Sequence, residues 1–334
     1  MIAGYEDRQQ PITPLLCTSP SDLTKRVDQL RALVPPNVRI TVAPDDAQPA
    51  DCHVLVHGTA KAEWLDASPT LRAVIVPYAG VSLEMQQLLQ ISERRSAQPA
   101  LQTTSPPPNL RWRSCFATAK FVVPLDRLLR QGDWRQRYGR RRCCSPGGAL
   151  ILGYGAIGRQ IALRLPGARH AGARRAPPGA ARAVEDGVEL FAADQLPALL
   201  PETDVLICVP PQTPETVGLI GAAELAAPAE RCHRHQRRAG PLSTKRRSTT
   251  LHAGHLAGAG IDVGGHLPAR RGGARPHAAL AFPFHELDNV VMSPHRGGWL
   301  EAAGGRRLQE LATLITAAAN GEDVPNKVDK VLGY

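Results

Sequence analysis

A glycine-rich segment near the middle of the chain has the residue types and spacing that could do chemistry. Residues 149–163 read ALILGYGAIGRQIAL, an apolar run, a glycine turn and an amphipathic stretch. In such a strand–turn–helix segment, Gly153 allows a sharp turn, Gly155 admits a pyrophosphate and Gly158 packs helix on strand. The first N–H groups of the helix would face the phosphates. The pattern predicts dinucleotide binding, with a plain structural turn as the alternative. The predicted cofactor-binding residues here are Gly153, Gly155, Ala156, Ile157 and Gly158.

The segments on both sides of this motif alternate between apolar strands and helical stretches. We expect strands at residues 51–58, 71–80, 168–173, 185–191, 204–209, 258–263 and 290–292. We expect helices at 82–90, 117–130, 195–200 and 301–320. In the helix at 117–130, one apolar face is formed by Phe121, Leu125, Leu128 and Leu129; in the helix at 301–320, it is formed by Leu308, Leu311, Leu314 and Ile315. Strands that alternate with helices are typical of a parallel α/β sheet.

Length, hydropathy and cysteine content restrict the class of protein. A chain of 334 residues is long enough for two domains of ordinary size. No apolar run reaches the length of a membrane span, and the first residues do not resemble a signal peptide. Seven cysteines without framework spacing indicate a reducing compartment. We therefore expect a cytoplasmic protein that does not enter a membrane.

The excess of basic residues raises a second class of function. The net charge is +10, and arginine and lysine concentrate at 135–142, 174–175 and 231–247. Such patches can bind nucleic acid through phosphate contacts. No recognised nucleic-acid fold or interleaved aromatic residues accompany them, so a solvated surface or a disordered loop is the favoured explanation. The cluster of Cys232, His233 and His235 lacks a second half-site of suitable spacing, and we predict no metal.

Several segments, in order and spacing, resemble the D-isomer-specific 2-hydroxyacid dehydrogenase family. They are LRAVIVPYAGVS, VVPLDRLLRQGDW, ALILGYGAIGRQIA, LPALLPETDVLICVPPQTPETVGLI, GHLAGAGIDV and ELDNVVMSPHRGG. The resemblance implies an α/β fold with two Rossmann-like, doubly wound domains, as in formate and glycerate dehydrogenases. Residues 1–110 and 297–334 would form the substrate domain, and residues 111–296 the dinucleotide-binding domain. The family resemblance also implies an active site between the domains and a homodimer.

The resemblance implies hydride transfer between NAD or NADP and a small 2-keto or 2-hydroxy acid. His295, in Ser-Pro-His, would donate a proton to the carbonyl oxygen, so its pKa must lie near the working pH. Arg238 would bind the substrate carboxylate with its planar fork, and Arg237 is the second choice. The turn with Ala79, Gly80 and Val81 would offer backbone N–H groups to the same carboxylate.

The remaining residues implied by the resemblance concern the cofactor. Asp262 would contact the nicotinamide carboxamide, although it could instead cap a strand end. Pro210 and Thr216 belong to a loop that would face the cofactor, although Thr216 could instead be a helix cap. Arg174 and Arg175 fall where an acid selects NAD and an arginine suits the 2′-phosphate of NADP. They favour NADP over NAD, with an exposed basic loop as the alternative.

The chain departs from the family pattern in ways that bear on turnover. Leu267 stands before Pro268 where the family carries a glutamate, and the Arg238 neighbourhood reads HQRRAGP instead of N-x-x-R-G. The pattern is lost at 94–117, 139–147, 228–250 and 264–281, while the flanking segments stay in register. Compensated slips of the reading frame would produce such a loss. The alternative functions are therefore a catalytically impaired dinucleotide-binding relative and a basic nucleic-acid-binding protein.

Overall fold

The chain divides into two compact units. The computed structural model describes residues 14–17, 26–43, 52–58, 60–77, 80–92, 100–102, 117, 121–134, 148–165, 167, 169–171, 182–185, 187–213, 215–227, 233–236, 258–262, 284–293, 301–322 and 327–329. The first unit contains residues 1–106, 211–213 and 300–334, and the second contains residues 107–210 and 214–299.

The described strands and helices alternate along most of the chain. The strands are β1 (Pro14–Cys17), β2 (Thr41–Ala43), β3 (Val54–Val56), β4 (Ala73–Val76), β5 (Ala100–Gln102), β6 (Ala149–Leu152), β7 (Arg169–Ala171), β8 (Arg182–Glu185), β9 (Val188–Phe191), β10 (Val205–Cys208), β11 (His233–Gln236), β12 (Gly258–Ile261) and β13 (Val290–Met292). The α-helices are α1 (Val27–Arg31), α2 (Ala62–Asp66), α3 (Leu83–Ser92), α4 (Val122–Arg130), α5 (Ala156–Ala162), α6 (Leu196–Leu199), α7 (Ala222–Ala226) and α8 (Glu301–Asn320). Short 3₁₀ turns occur at Ala193–Gln195, Leu200–Glu202 and Phe284–Glu286.

The first unit contains a five-stranded sheet in the order β2-β1-β3-β4-β5, with every neighbouring pair parallel. This is the doubly wound order found in flavodoxin-like sheets. Side chains of β3 and β4 alternate between two apolar clusters, one for each face of the sheet. The cluster on one face includes α8, whose predicted apolar face is confirmed: Leu308, Leu311, Leu314 and Ile315 are all buried. The other cluster includes α3.

The second unit contains an eight-stranded sheet in the order β13-β12-β11-β10-β6-β7-β9-β8. Of the strand pairs that the structure describes, only β8 with β9 is antiparallel. Omitting the edge strand β8, the order matches the Rossmann order 3-2-1-4-5-6 with one further parallel strand. The direction of winding reverses between β6 and β10. These two strands are buried along their whole length, which explains their continuous apolar sequences.

Two sequence-based elements in the second unit differ from the structure. The helix expected at 117–130 is not one continuous helix: Ala117 is helical, but α4 begins at Val122, because Phe121 has a left-handed φ of 51° that a right-handed helix cannot include. Its predicted apolar face is not buried, since Leu125 and Leu129 are 41% and 50% exposed. The single strand expected at 185–191 contains only the last residue of β8 and all of β9; the two strands form a hairpin, and Gly187 between them has a φ of +76°.

The strand β11 comes from one of the segments that has lost the apolar pattern. Its sequence is His-Arg-His-Gln, yet its backbone pairs with β10 on one side and with β12 on the other. A central strand of a parallel sheet is ordinarily apolar, because both of its faces are covered by helices. At β11 the backbone of this unit therefore follows the Rossmann order although the sequence lacks the apolar residues usual for a central strand.

Candidate functional site

The glycine turn after β6 lies against the chain segment that follows β10. Gly153 has a φ of +99°, and a β-carbon added to it would lie 2.8 Å from the Pro210 backbone. The two strands remain paired one residue beyond their ends, because the Val209 N–H donates to the Leu152 carbonyl oxygen at 2.9 Å. A side chain at position 153 is therefore excluded both by backbone conformation and by lack of space.

Gly155 and Gly158 have different surroundings. Gly155 is the N-cap of α5, and a β-carbon added to it would meet no atom within 4 Å. A β-carbon on Gly158 would lie 2.0 Å from the Gly153 carbonyl oxygen, so the helix packs directly on the turn. In any α-helix the first N–H groups have no partner within the helix, which here includes those of Ala156 and Ile157. The open space at Gly155 and these N–H groups suit a diphosphate.

The strand register brings several predicted residues to one edge of the second sheet. Leu152 pairs with Cys208, and Ile261 pairs with Met292, so the residues that follow them leave the sheet at the same end. Asp262 follows β12 and is only 4% exposed. Ser293 follows β13, and its N–H donates to the Ile261 carbonyl oxygen at 2.8 Å. Ligands of open α/β sheets bind at this carboxyl edge, near the switch point.

The loop after β10 contains Pro210 and Thr216, both predicted to face the cofactor. Pro210 and Thr216 are half-buried, whereas Thr213 between them is only 3% exposed. The Leu219 N–H donates to the Thr216 carbonyl oxygen at 3.4 Å, which closes a turn. The cofactor roles of Pro210 and Thr216 stay predictions.

The turn predicted to bind the substrate carboxylate lies at the carboxyl end of β4, just before α3. Gly80 is half-buried and Val81 is buried, whereas Ala79 lies outside the described residues. The Ser82 hydroxyl accepts the Met85 N–H at 3.2 Å, as expected of a helix N-cap. The buried Gln86 donates from Nε2 to the carbonyl oxygens of Val81 at 3.2 Å and Gln212 at 2.9 Å. No local pattern in the sequence marks this glutamine.

Several predicted residues lie outside the part of the chain that the structure describes. They are His295, Arg238, Arg237, Arg174, Arg175, Leu267 and Cys232. Two acidic residues close to His295 in sequence are described. Asp288 forms an exposed ion pair with Arg127 at 3.2 Å, and Glu286 lies 3.8 Å from His285. Among the described residues, no three His, Cys, Asp or Glu side chains come together as metal ligands do.

A histidine at the carboxyl edge of the first sheet was also missed. His57 directly follows β3, and its backbone N–H donates to the Ile75 carbonyl oxygen at 3.0 Å. Its ring lies edge-on to Trp64, with 4.9 Å between the ring centroids. The available signal was a histidine directly after a buried strand of a parallel sheet, the position where such sheets commonly carry functional residues.

The Rossmann order, the switch point between β6 and β10, and the open glycine turn define a dinucleotide-binding α/β protein. A family model described as D-isomer specific 2-hydroxyacid dehydrogenase, NAD binding domain, matches residues 113–297, more than half of the chain. The chain belongs to the D-isomer-specific 2-hydroxyacid dehydrogenase family. This family carries out NAD(P)-dependent hydride transfer on 2-hydroxy and 2-keto acids.

Curated relatives cover most of this chain at modest identity. Glyoxylate reductase of Thermococcus onnurineus is 27% identical over 294 residues, which are 80% of this chain and 79% of that protein. D-3-phosphoglycerate dehydrogenase of Mycobacterium leprae is 27% identical over 279 residues, which are 81% of this chain and 49% of that protein. The chain therefore spans about half the length of this phosphoglycerate dehydrogenase.

Solved structures show the same fold at lower identity. A probable 2-hydroxyacid dehydrogenase from Rhizobium etli, in complex with NADP, has a TM-score of 0.73 and 18% identity, and the match covers 97% of this chain and all of that one. An NADPH-dependent glyoxylate/hydroxypyruvate reductase from Sinorhizobium meliloti, in complex with NADP, has a TM-score of 0.73 and 20% identity. The match covers 96% of this chain and 100% of that one. The expected α/β fold is confirmed. None of the described helices has the length and apolar character needed to cross a membrane.

Proposed function

We propose that this chain catalyses the reversible reduction of a small 2-keto acid by NADPH or NADH. The observation that carries the proposal is the open space at Gly155, where an added β-carbon meets nothing within 4 Å. This space lies in a turn at the switch point of a Rossmann sheet, where a diphosphate binds the first N–H groups of the helix. The second unit is then the dinucleotide-binding domain, and the first unit is the substrate domain.

The proposed roles follow the chemistry of carbonyl reduction. When bound, the nicotinamide supplies the hydride. His295 donates the proton to the carbonyl oxygen, and Arg238 holds the substrate carboxylate in a bidentate pair. The N–H groups of the turn at Ala79, Gly80 and Val81 bind the same carboxylate. Asp262, buried at the end of β12, accepts a hydrogen bond from the nicotinamide carboxamide.

We propose NADP as the preferred cofactor, with NAD as the alternative. Arg174 and Arg175 follow β7, the second strand in the Rossmann order, where a basic side chain suits the 2′-phosphate. The Rhizobium and Sinorhizobium structures, both in complex with NADP, support this choice. Replacing both arginines with serine is expected to weaken NADPH binding at least about tenfold and to leave NADH binding within about twofold.

Binding and turnover test the proposed function separately. Fluorescence titration with NADPH and NADH measures cofactor affinity, and oxidation of the cofactor with glyoxylate or hydroxypyruvate measures turnover. We expect binding of NADPH and reduction of at least one of these acids. The variant His295→Ala should lose turnover and keep cofactor binding, since its imidazole acts on the carbonyl oxygen. Absence of cofactor binding by the wild-type chain would contradict the proposal.

A second candidate is a catalytically impaired relative that still binds the dinucleotide. Leu267 favours it, because the family carries a glutamate there that hydrogen-bonds the histidine and fixes its tautomer. Cofactor binding without measurable turnover is the result expected of this candidate. A third outcome, DNA binding with steep salt dependence and no cofactor binding, would instead favour nucleic-acid binding by the basic segments.

We further propose that the chain forms a homodimer and works in the cytoplasm. The helix α4 supports a dimer, because Val122, Leu125 and Leu129 are between 41% and 51% exposed on it. Light scattering should give twice the chain mass, and Leu129→Glu should shift it to the monomer mass. The buried thiols of Cys52 and Cys208 are compatible with a reducing compartment.

A further inference from the structure

The middle residue of the glycine turn makes a side-chain contact with the helix that follows it. Tyr154 lies between Gly153 and Gly155, and the guanidinium carbon of Arg159 lies 4.9 Å from the centroid of its ring. The same guanidinium reaches an acid on the other side, where Arg159 Nη1 lies 2.7 Å from Glu185 Oε1. The proposed function makes no use of these three side chains.

The three residues come from different elements of the second unit. Arg159 belongs to α5, and its backbone N–H donates to the Gly155 carbonyl oxygen at 3.0 Å. Glu185 ends β8, the antiparallel strand at the edge of the sheet. Arg159 is therefore attached to the turn through its backbone and through Tyr154, while Glu185 fixes the direction of its guanidinium.

We propose that Arg159 is a positioning residue that holds the Tyr154 turn in the shape that admits the diphosphate. This inference rests on the proposed function, since it concerns the same cofactor site. Glycine has more backbone freedom than any other residue, so a turn with glycines on both sides of Tyr154 loses much conformational entropy when it becomes ordered. A contact that orders the turn before the cofactor arrives removes part of that cost from the binding free energy.

Glu185 provides a way to distinguish the positioning of Arg159 from direct electrostatic repulsion of the cofactor. Glu185 and Arg159 are each about one-third exposed, at 30% and 33%. A carboxylate near a diphosphate site repels the ligand, so its removal alone would strengthen cofactor binding. If Glu185 acts by orienting Arg159, its removal weakens cofactor binding instead. The two explanations predict opposite signs for Glu185→Gln.

The experiment measures the Kd for NADPH by fluorescence titration in the full-length chain. The test variants are Glu185→Gln, Arg159→Met and Tyr154→Leu, and the conservative variant is Tyr154→Phe. Arg164→Met is the matched control, because it removes the same charge, and Arg164, two residues beyond the end of α5, donates to the Gln160 carbonyl oxygen at 2.6 Å. Thermal unfolding of each variant shows that it is folded.

We expect each test variant to raise the Kd about three- to tenfold, the range of a partly exposed cation–π contact. Tyr154→Phe, which keeps the ring, and Arg164→Met should stay within about twofold of the wild type. Tighter binding by Glu185→Gln, or unchanged binding by Tyr154→Leu, would overturn this inference and leave the proposed function standing. If the wild-type chain binds no cofactor, both proposals are wrong.

Discussion

Gly158 packs so closely on the Gly153 carbonyl oxygen that an added β-carbon would lie 2.0 Å from it. Gly155, between them in sequence, has open space where a β-carbon would lie. Glycine is therefore needed at the three positions of the motif for different physical reasons. At Gly153 the reasons are backbone conformation and lack of space, at Gly158 it is close packing, and at Gly155 it is the access proposed for the diphosphate. Substitution by alanine should separate these reasons in measurements of stability and of binding.

Gly155→Ala and Gly158→Ala should have contrasting effects. Gly155 has a φ of −82°, which alanine adopts freely, so its replacement should leave the free energy of unfolding unchanged. The methyl group enters the space proposed for the diphosphate, and the Kd for NADPH should rise at least about tenfold. Gly158→Ala should lower the free energy of unfolding by about 1–3 kcal/mol, because a well-packed contact is overfilled.

A glycine remote from the motif provides the control for these two variants. Gly305 lies within α8, and a β-carbon added to it meets nothing within 4 Å. Gly305→Ala should raise the free energy of unfolding by about 0.5–1 kcal/mol, because alanine loses less backbone freedom in a helix. Equal stability of Gly158→Ala and wild type would show that the turn can relax and that the proposed packing role is wrong.

Gln86 should stabilise the first unit through its two hydrogen bonds. Gln86→Leu removes the hydrogen bonds to the Val81 and Gln212 carbonyl oxygens and should lower the free energy of unfolding by about 0.5–1.5 kcal/mol for each bond lost. Gln87→Leu is the matched control on the exposed side of α3, and it should change stability by less than about 0.5 kcal/mol. Denaturant unfolding measures the free energy of unfolding of both variants. Similar values for the two variants would contradict the role given to Gln86.

Leu267→Glu tests whether the missing acid limits turnover. If Leu267 occupies the position of the family's glutamate, the new carboxylate should orient His295 and raise kcat for 2-keto acid reduction at least about tenfold. The Kd for NADPH should not change, because the residue acts on the histidine. Leu267→Gln is the control of similar size without the charge. An increase in kcat by both variants alike would rule out an acid–histidine pair as the cause.

The coding DNA tests the origin of the segments that lost the family pattern. We expect another reading frame to encode an apolar strand in place of His-Arg-His-Gln in β11, followed by N-x-x-R-G. A second frame change should supply an acid directly before Pro268. Translation of the gene in all three frames decides the matter. If no frame restores either motif, the departures belong to the protein itself, and the frame-slip hypothesis is wrong.

Local patterns in the sequence were sufficient for many elements. The helix at Glu301–Asn320 and the strand at Val290–Met292 have the predicted bounds, and the glycine motif lies on a strand, a turn and a helix as expected. Apolar periodicity and glycine spacing are properties of neighbouring residues, so the sequence displays them directly. The turn before α3 and Asp262 after β12 were instead located through the family resemblance, and their roles stay predictions.

Other features depended on contacts between residues distant in sequence. The approach of Gly153 to Pro210, the pairing of β11 with two strands, and the contacts of Gln86 join segments that no local pattern connects. The left-handed φ of Phe121, which interrupts the expected helix just before Val122, is likewise set by its surroundings rather than by its type. The sequence determined which residues could form a dinucleotide turn. The tertiary structure decided that this turn is open at Gly155 and closed at Gly153 and Gly158, because packing excludes atoms that the sequence alone would allow.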